Sequence, residues 1–418
     1  MKITTLLLAA CLWALEASCQ TQFTYFNKVF GGDTSNMLAQ VIQPVSGGHL
    51  VIGSYGTQSI EHAIFIMKLD SQGNPLTFKD LVVGAEWGVV EDGSFVKPTS
   101  DGNFVCTIAE ITYTPALKLI PHLLKFNSNG DTIWHKTYPN EYSQFTRSII
   151  QTSDNGFAMA GYRYVQDTAR FLLLKINEEG NYEWSKTYML DHDSRAFSIQ
   201  QTPWDGGYIL GGWGYSTTTG YDMFVVKTTA NGDTLWTKRY GNEFNDCAAK
   251  VVNLTTYEEY LNGASIEYLI TACVYEGTTE KMYIAKINAV GNMIWQKNYN
   301  FLNKMGSFQV LAIIKDDKGF IGSGRYRPDG FTPQPYIASF HADGTVDWVT
   351  TPTINPGAQV YLKDLQPTPD GGYVLAGYQF TAPQTAWVLK IDAQGKTCSY
   401  VGCDSTVVVE VLPAVEAV

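Results

Sequence analysis

The chain contains no Gly-x-Ser-x-Gly elbow, no His-Glu-x-x-His pair, no Walker phosphate loop and no EF-hand loop. The common hydrolase, zinc-protease, nucleotide and calcium signatures are therefore absent. Histidine is scarce: the six present, His49, His62, His122, His135, His192 and His341, are scattered along the chain, so neither a metal centre nor a cofactor is expected. Lysine and arginine never cluster and the net charge is −11, which argues against nucleic acid or an anionic membrane as a partner. Beyond the first residues no apolar run reaches the ~18 residues of a spanning helix, so membrane insertion is not expected.

The N-terminus reads as a secretory signal over residues 1–19. Lys2 supplies a positive start, Ile3 to Leu15 an apolar stretch too short to span a bilayer, and Ala17-Ser18-Cys19 a small-residue cleavage site. This predicts Gln20 near the mature end and a secreted or cell-surface location. Cys19 as a lipid-bearing residue is the alternative, giving a lipid-anchored or periplasmic form, although Glu16 stands where such signals want an apolar residue. Five cysteines remain after cleavage. Cys398 and Cys403 flank a short segment of an exported chain and are the expected disulfide. Cys247 and Cys273 fall in one repeat and could pair, while Cys106 lies in an apolar strand and reads as a buried thiol.

What is present is periodicity. Glycine and tryptophan recur four residues apart at Gly130 and Trp134, Gly180 and Trp184, Gly232 and Trp236, Gly291 and Trp295, and Gly344 and Trp348. Gly73 and Gly395 extend the series to seven copies about 54 residues apart, the spacing of β-propeller blades. In the third copy, Phe145 to Gln151 and Phe157 to Tyr162 read as strands around a polar turn. Phe171 to Ile176 and Tyr182 to Tyr188 follow around a second turn. Four antiparallel strands per copy predict a seven-bladed, all-β propeller over residues 20–397, with 398–418 as a tail.

Each tryptophan then opens an outer strand and covers the gap between neighbouring sheets. Lysines recur five residues before the turn glycine, at Lys68, Lys125, Lys175, Lys227, Lys286 and Lys390, and six after it, at Lys79, Lys136, Lys186, Lys238 and Lys297. Both sets read as solvated, edge-protecting residues. At the other end of the chain, Phe26-Asn27-Lys28-Val29-Phe30-Gly31 matches Trp236-Thr237-Lys238-Arg239-Tyr240-Gly241, an outer strand with no blade before it. It is expected to complete the seventh blade and close the ring.

Asp205-Gly206-Gly207-Tyr208 and Asn231-Gly232-Asp233-Thr234-Leu235-Trp236 resemble the repeats of exported Bacteroidota propeller proteins of largely unknown role. The resemblance covers nearly the whole mature chain and implies export, in many members by type IX secretion. Such members usually carry a C-terminal sorting domain after a segment similar to Cys398 to Asp404; the sequence to Val418 shows none. The strand-turn-strand unit is also similar to the tryptophan-docking repeat of quinoprotein-like propellers, with a turn one residue shorter. Ser128-Asn129-Gly130-Asp131-Thr132-Ile133-Trp134 is a near miss to the sialidase Asp-box, with the wrong spacing.

Function is sought where blades depart from the repeat, on the rim formed by chain leaving each second strand and entering each next blade. Aromatics and arginines gather there: Tyr55, Tyr162 with Arg163 and Tyr164, Trp213 with Tyr215, Tyr275, Arg325 with Tyr326 and Arg327, and Tyr378 with Phe380. Such a rim suits sugar faces or extended peptides. The single recurring aromatic equally suits a cap on the core between blades. The expected function is non-catalytic binding of a glycan, peptide or surface protein by a monomer. Two alternatives remain: a glycan hydrolase or lyase using rim carboxylates and His192 within Asp191-His192-Asp193-Ser194-Arg195, and a scaffold module of a longer secreted protein. The insertion Tyr257 to Tyr268 and the segment Pro328 to Pro335 read as exposed loops.

Overall fold

The fold is a computed structural model describing residues 24–398, apart from 32–35, 57–62, 84–86, 89–95, 113–117, 139–140, 191, 242–245, 247–248, 277–278, 300–305, 315–318, 328–331 and 353–357. Seven antiparallel sheets follow one another along the chain. The first blade is Asn36–Val45, Gly48–Gly56, Ala63–Asp70 and Pro75–Val83. In the second, the inner strand is two short segments, Trp87–Gly88 and Val96–Pro98, both paired with Phe104–Thr112. The third blade, Gln144–Gln151, Phe157–Val165, Thr168–Ile176 and Tyr182–Tyr188, matches the sequence reading, with longer middle strands. Ser194–Gln201 begins the fourth, Lys250–Asn253 the fifth and Gly306–Ile314 the sixth. Gln359–Pro367, Tyr373–Phe380 and Thr385–Ile391 make the seventh, whose outer strand is the N-terminal Phe26–Phe30. The ring is thus closed as expected, and Trp387 Nε1 donates to Asn27 Oδ1 at 2.6 Å across the closure.

The recurrent glycine, tryptophan and tyrosine form one clamp between blades. Gly291 turns with φ +77°, and an added Cβ would meet Lys238 Cγ at 2.8 Å and Tyr240 Oη at 3.1 Å on the preceding blade. Glycine is required there both for the left-handed turn and for the close approach. The Trp236 ring lies against that turn and donates from Nε1 to the Ala289 carbonyl at 3.0 Å. Tyr240 Oη completes the clamp by donating to the Gly291 carbonyl at 2.7 Å. Tyr138 and Tyr188 donate likewise to Gly180 and Gly232, each at 2.8 Å. At the closure Phe26 takes the place of tryptophan against Gly73. The motif that marks the repeat in sequence is therefore the joint between repeats.

The first lysine set corrects the sequence expectation. Lys125, Lys175, Lys227 and Lys390 are buried, not solvated. Each reaches from the third strand to an aspartate in its blade's first hairpin turn: Asp101 at 2.7 Å, Asp154 at 2.9 Å, Asp205 at 2.7 Å and Asp370. The physical reason is the long apolar stem, which lies in the sheet while the ammonium emerges at the turn. Burial would raise the Asp205 carboxyl, but hydrogen bonds from Lys227, Thr202 and the Gly207 N–H outweigh it and hold it below its ordinary value. In the second set Lys79 is exposed while Lys136, Lys186, Lys238 and Lys297 are half-buried, and Lys79 and Lys186 bridge at 2.6 Å to Asp131 and Asp233 of the next blade. The Tyr257 insertion is not simply a loop. Tyr257–Leu261 forms a one-turn helix (α1), capped by Thr256 and Glu259, a pairing visible in sequence as Thr-x-x-Glu.

Among the described cysteines Cys106 is a buried free thiol, as expected. Cys273 and Cys398 are engaged and not free. Cys247 and Cys403, the partners anticipated for them, lie outside the described residues, as do the signal segment, Asp191 and the end of the tail.

Candidate functional site on the arginine-bearing face

The up-and-down order of strands puts the first and third turns of every blade on one face. The connection between second and third strands, and the passage to the next blade, fall on the other. Charge follows that division. The buried lysines and their aspartates belong to the turn face. Six of the chain's seven arginines fall in strand halves directed to the opposite face, Arg147, Arg163 and Arg170 in blade 3, Arg195 and Arg239 in blade 4 and Arg325 in blade 6, and Arg327 follows the end of the Arg325 strand on that side.

The seam between blades 3 and 4 brings two of them, Arg147 and Arg195, to one ring, that of Tyr162. The ladder of Gln144–Gln151 slips between Thr146 and Ser148, and that of Ser194–Gln201 between Ala196 and Ser198. Each slip leaves one residue, Arg147 or Phe197, bulged from its strand, and a bulge re-aims a side chain. The Arg147 guanidinium lies 4.3 Å from the Phe197 ring centre and 5.4 Å from that of Phe145. Arg195 lies 4.6 Å from Tyr162 and 5.3 Å from Trp213, and its Nη2 donates to Tyr164 Oη at 3.2 Å. Arg195 Nε is buried without a hydrogen-bond partner. Burial raises the Tyr162 phenol, against the opposing pull of Arg195 and Arg147.

Outward from Arg195 the aromatics become accessible. Trp213 meets Tyr221 edge-on at 4.8 Å, and Tyr221 meets Tyr215 at 5.2 Å. Tyr215 and Tyr221 are 38% and 42% exposed, and His192 stands 6.3 Å from the Tyr215 ring. A second, smaller cluster sits at blades 6 and 7. Arg325 lies 5.4 Å from Tyr361, which stacks on Tyr378 at 5.1 Å, with Lys363 5.7 Å from Tyr378.

The rim residues named from sequence sort into three groups. Tyr162, Tyr164, Trp213 and Tyr215 come together at the blade 3–4 seam, and Arg325 with Tyr378 at blades 6–7. Arg163 is drawn into its own blade, donating to Gln144 Oε1 at 2.8 Å and Ser185 Oγ at 2.9 Å. Tyr326 packs against the core, and Arg327 follows the end of its strand apart from the seam. Tyr55 is likewise structural, donating to Asp80 at 3.0 Å. Most of these residues are not on loops, as the sequence reading had them. Tyr162 to Tyr164 belong to Phe157–Val165, which turns through Gln166 and Asp167 at positive φ. Extended pairing with Thr168–Ile176 carries the strand three residues further.

Sequence reasoning missed Phe145, Arg147, Phe197, Tyr361 and Lys363, all on innermost strands. A signal existed. Gly161 and Gly212 sit inside second strands opposite the bulges, where a Cβ would meet the Phe145 carbonyl at 1.9 Å or the Arg195 carbonyl at 2.0 Å. Glycine within a strand marks such an approach. Of the acid-base corner around His192, Asp191 lies outside the described residues. Asp193 Oδ1 accepts the Ala169 N–H at 2.8 Å, while Arg195 is held by the rings. Among the described residues no three of His, Cys, Asp and Glu converge as for a metal ion.

These features define the chain as a seven-bladed β-propeller with an aromatic and cationic seam on one face. No family model matches the sequence, and no curated protein sequence matches it. Among solved structures it is similar to a protein of unknown function from Bacteroides caccae, at 11% identity, covering 76% of this chain and 94% of that one, with a TM-score of 0.41. A protein of unknown function from Dyadobacter fermentans is similar at 10% identity, with coverage of 87% and 98% and a TM-score of 0.45. The polysaccharide lyase Uly1 is similar at 8% identity, with coverage of 90% and 94% and a TM-score of 0.43. At such identities the likeness concerns the fold alone.

Proposed function

We propose that the protein is an exported, non-catalytic binding module that takes a glycan on the blade 3–4 rim. The observation that carries this reading is the half-exposed platform of Trp213, Tyr215 and Tyr221, backed by Arg195. Exposed rings offer flat apolar faces to the C–H faces of sugars, and a few fixed polar groups beside them orient the ligand. The rings are braced edge-on against one another, so little side-chain freedom is lost on binding. Export rests on the N-terminal segment and on the resemblance of the repeats to exported Bacteroidota propeller proteins.

The test is a glycan array and polysaccharide pull-down with the mature chain, reducing-end and unsaturated-product assays being run on each hit. Binding without turnover is expected. Tyr215→Ala/Tyr221→Ala should weaken it at least about tenfold, roughly 1.4 kcal/mol, with the melting temperature nearly unchanged because both rings are already half in solvent. Turnover would replace this reading with an enzyme. Capture of peptides but not glycans would replace it with a peptide or surface-protein receptor.

A further inference from the structure

Resting on the glycan reading of the same site, we propose that the glycan is anionic, its carboxylate or sulfate groups being received by the Arg195 guanidinium at the blade 3–4 seam. The first support is the sorting of charge. In a chain of net charge −11, six of the seven arginines fall in strand halves directed to one face, the seventh, Arg327, follows such a strand end, and five of the seven belong to blades 3 and 4. Arginine, unlike lysine, offers a planar fork matched to two oxygens of one anion.

The second support is how these cations are balanced. On the turn face Lys125, Lys175 and Lys227 each meet an aspartate within 3 Å. Arg195 at the seam is held only by rings and a phenol, and Arg163 inside blade 3 only by an amide and a hydroxyl. Among the described residues no carboxylate pairs with either. Nearby acids are otherwise engaged: Asp193 accepts from Ala169, and Asp222 accepts from Thr219 at 2.6 Å and pairs with Arg239 at 3.4 Å. Arg239 is accordingly outside the site. Glu141 lies near enough to act on Arg163 through space and makes no ion pair with it. Rings stabilise a cation less than a paired anion does in partly desolvated surroundings.

The third support is pre-organisation. Arg195 is fixed between Tyr162 and Trp213 and tethered by Tyr164, so its fork is oriented before a ligand arrives, next to the rings on which a sugar would lie. The protein's overall negative charge does not abolish this attraction, since at physiological salt fields are screened beyond about 8 Å.

The proposal is tested by affinity electrophoresis and calorimetry with carboxylated polysaccharides, the same polymers methyl-esterified, sulfated polysaccharides, and neutral glucans, at low and moderate salt. The expected result is binding of carboxylated or sulfated polymers at least about tenfold tighter than of the esterified or neutral ones, weakening as salt rises. The two anionic arms tell carboxylate from sulfate. Arg195→Gln should abolish that preference, bringing charged and esterified polymers to equal affinity; Arg195→Lys, which keeps the charge and loses the fork, should retain only part of it. Both variants are checked for an unchanged melting temperature, and Arg195→Lys decides if the glutamine variant fails to fold. Equal affinity for charged and esterified polymers, or a preference that survives Arg195→Gln, overturns the anionic assignment and leaves the platform reading standing. Binding of no glycan at all overturns both.

Discussion

His49 shows how one residue links the ring's integrity to pH. It is buried on the second strand of blade 1, edge-on to Phe26 of the closing strand at 5.4 Å, with Nδ1 lacking a hydrogen-bond partner. Burial, followed by the charge of Lys390, lowers its pKa to about 4, against the weaker opposing pull of Asp370 and Asp70. An unfolded histidine titrates near 6.5. Between those values the unfolded chain binds more protons than the native one, so stability rises with pH. The contribution is complete above about pH 6.5 and is lost as pH falls towards 4. Urea unfolding from pH 7 to 4 should therefore reveal a loss on the order of 2 to 3 kcal/mol that is largely missing in His49→Leu. A pH profile identical in both proteins would refute this role.

At the scale of the element, the outer strand and the turn it meets on the next blade act together. Gly291 stands at φ +77° with Trp236, Lys238 and Tyr240 of blade 4 closed over it. Gly291→Ala would strain the turn and push on that strand at once, and thermal unfolding should register a loss of about 1 to 3 kcal/mol. Gly263→Ala, at φ +85° with open space around it, carries the turn strain alone and should cost less. Equal effects at the two positions would mean that the joint contributes nothing beyond its φ. The same logic explains why the clamp is legible as Gly-x-x-x-Trp. Both residues serve a contact that recurs identically, so the sequence repeats it. The bulges of the inner strands left a fainter mark, a glycine on the partner strand, because what they position differs from blade to blade.

For the whole molecule, closure turns seven sheets into one structure. Phe26 is fully buried, Trp387 is tied to Asn27, and Tyr25 Oη donates to Asp392 at 2.8 Å, so chain ends more than 360 residues apart share one sheet. Deleting residues up to Gly31 would bare the edge of Thr385–Ile391 and the Gly73 turn together. Size-exclusion chromatography and calorimetry should then detect self-association and a broadened transition. A monomer melting in one sharp step would show that the ring does not depend on its closing strand.

The sequence by itself determined the blade count, the four-strand unit, the packing role of the tryptophans and the closing strand, because each depends on contacts made over and over. It could not place the buried lysines, whose aspartate partners lie across a hairpin, nor distinguish Arg163, spent on Gln144 and Ser185, from Arg195, stacked on rings of two blades. Only the tertiary structure decided those. The candidate site is made where two different blades meet, and nothing in linear spacing records which side chains a curved ring of twisted sheets brings face to face.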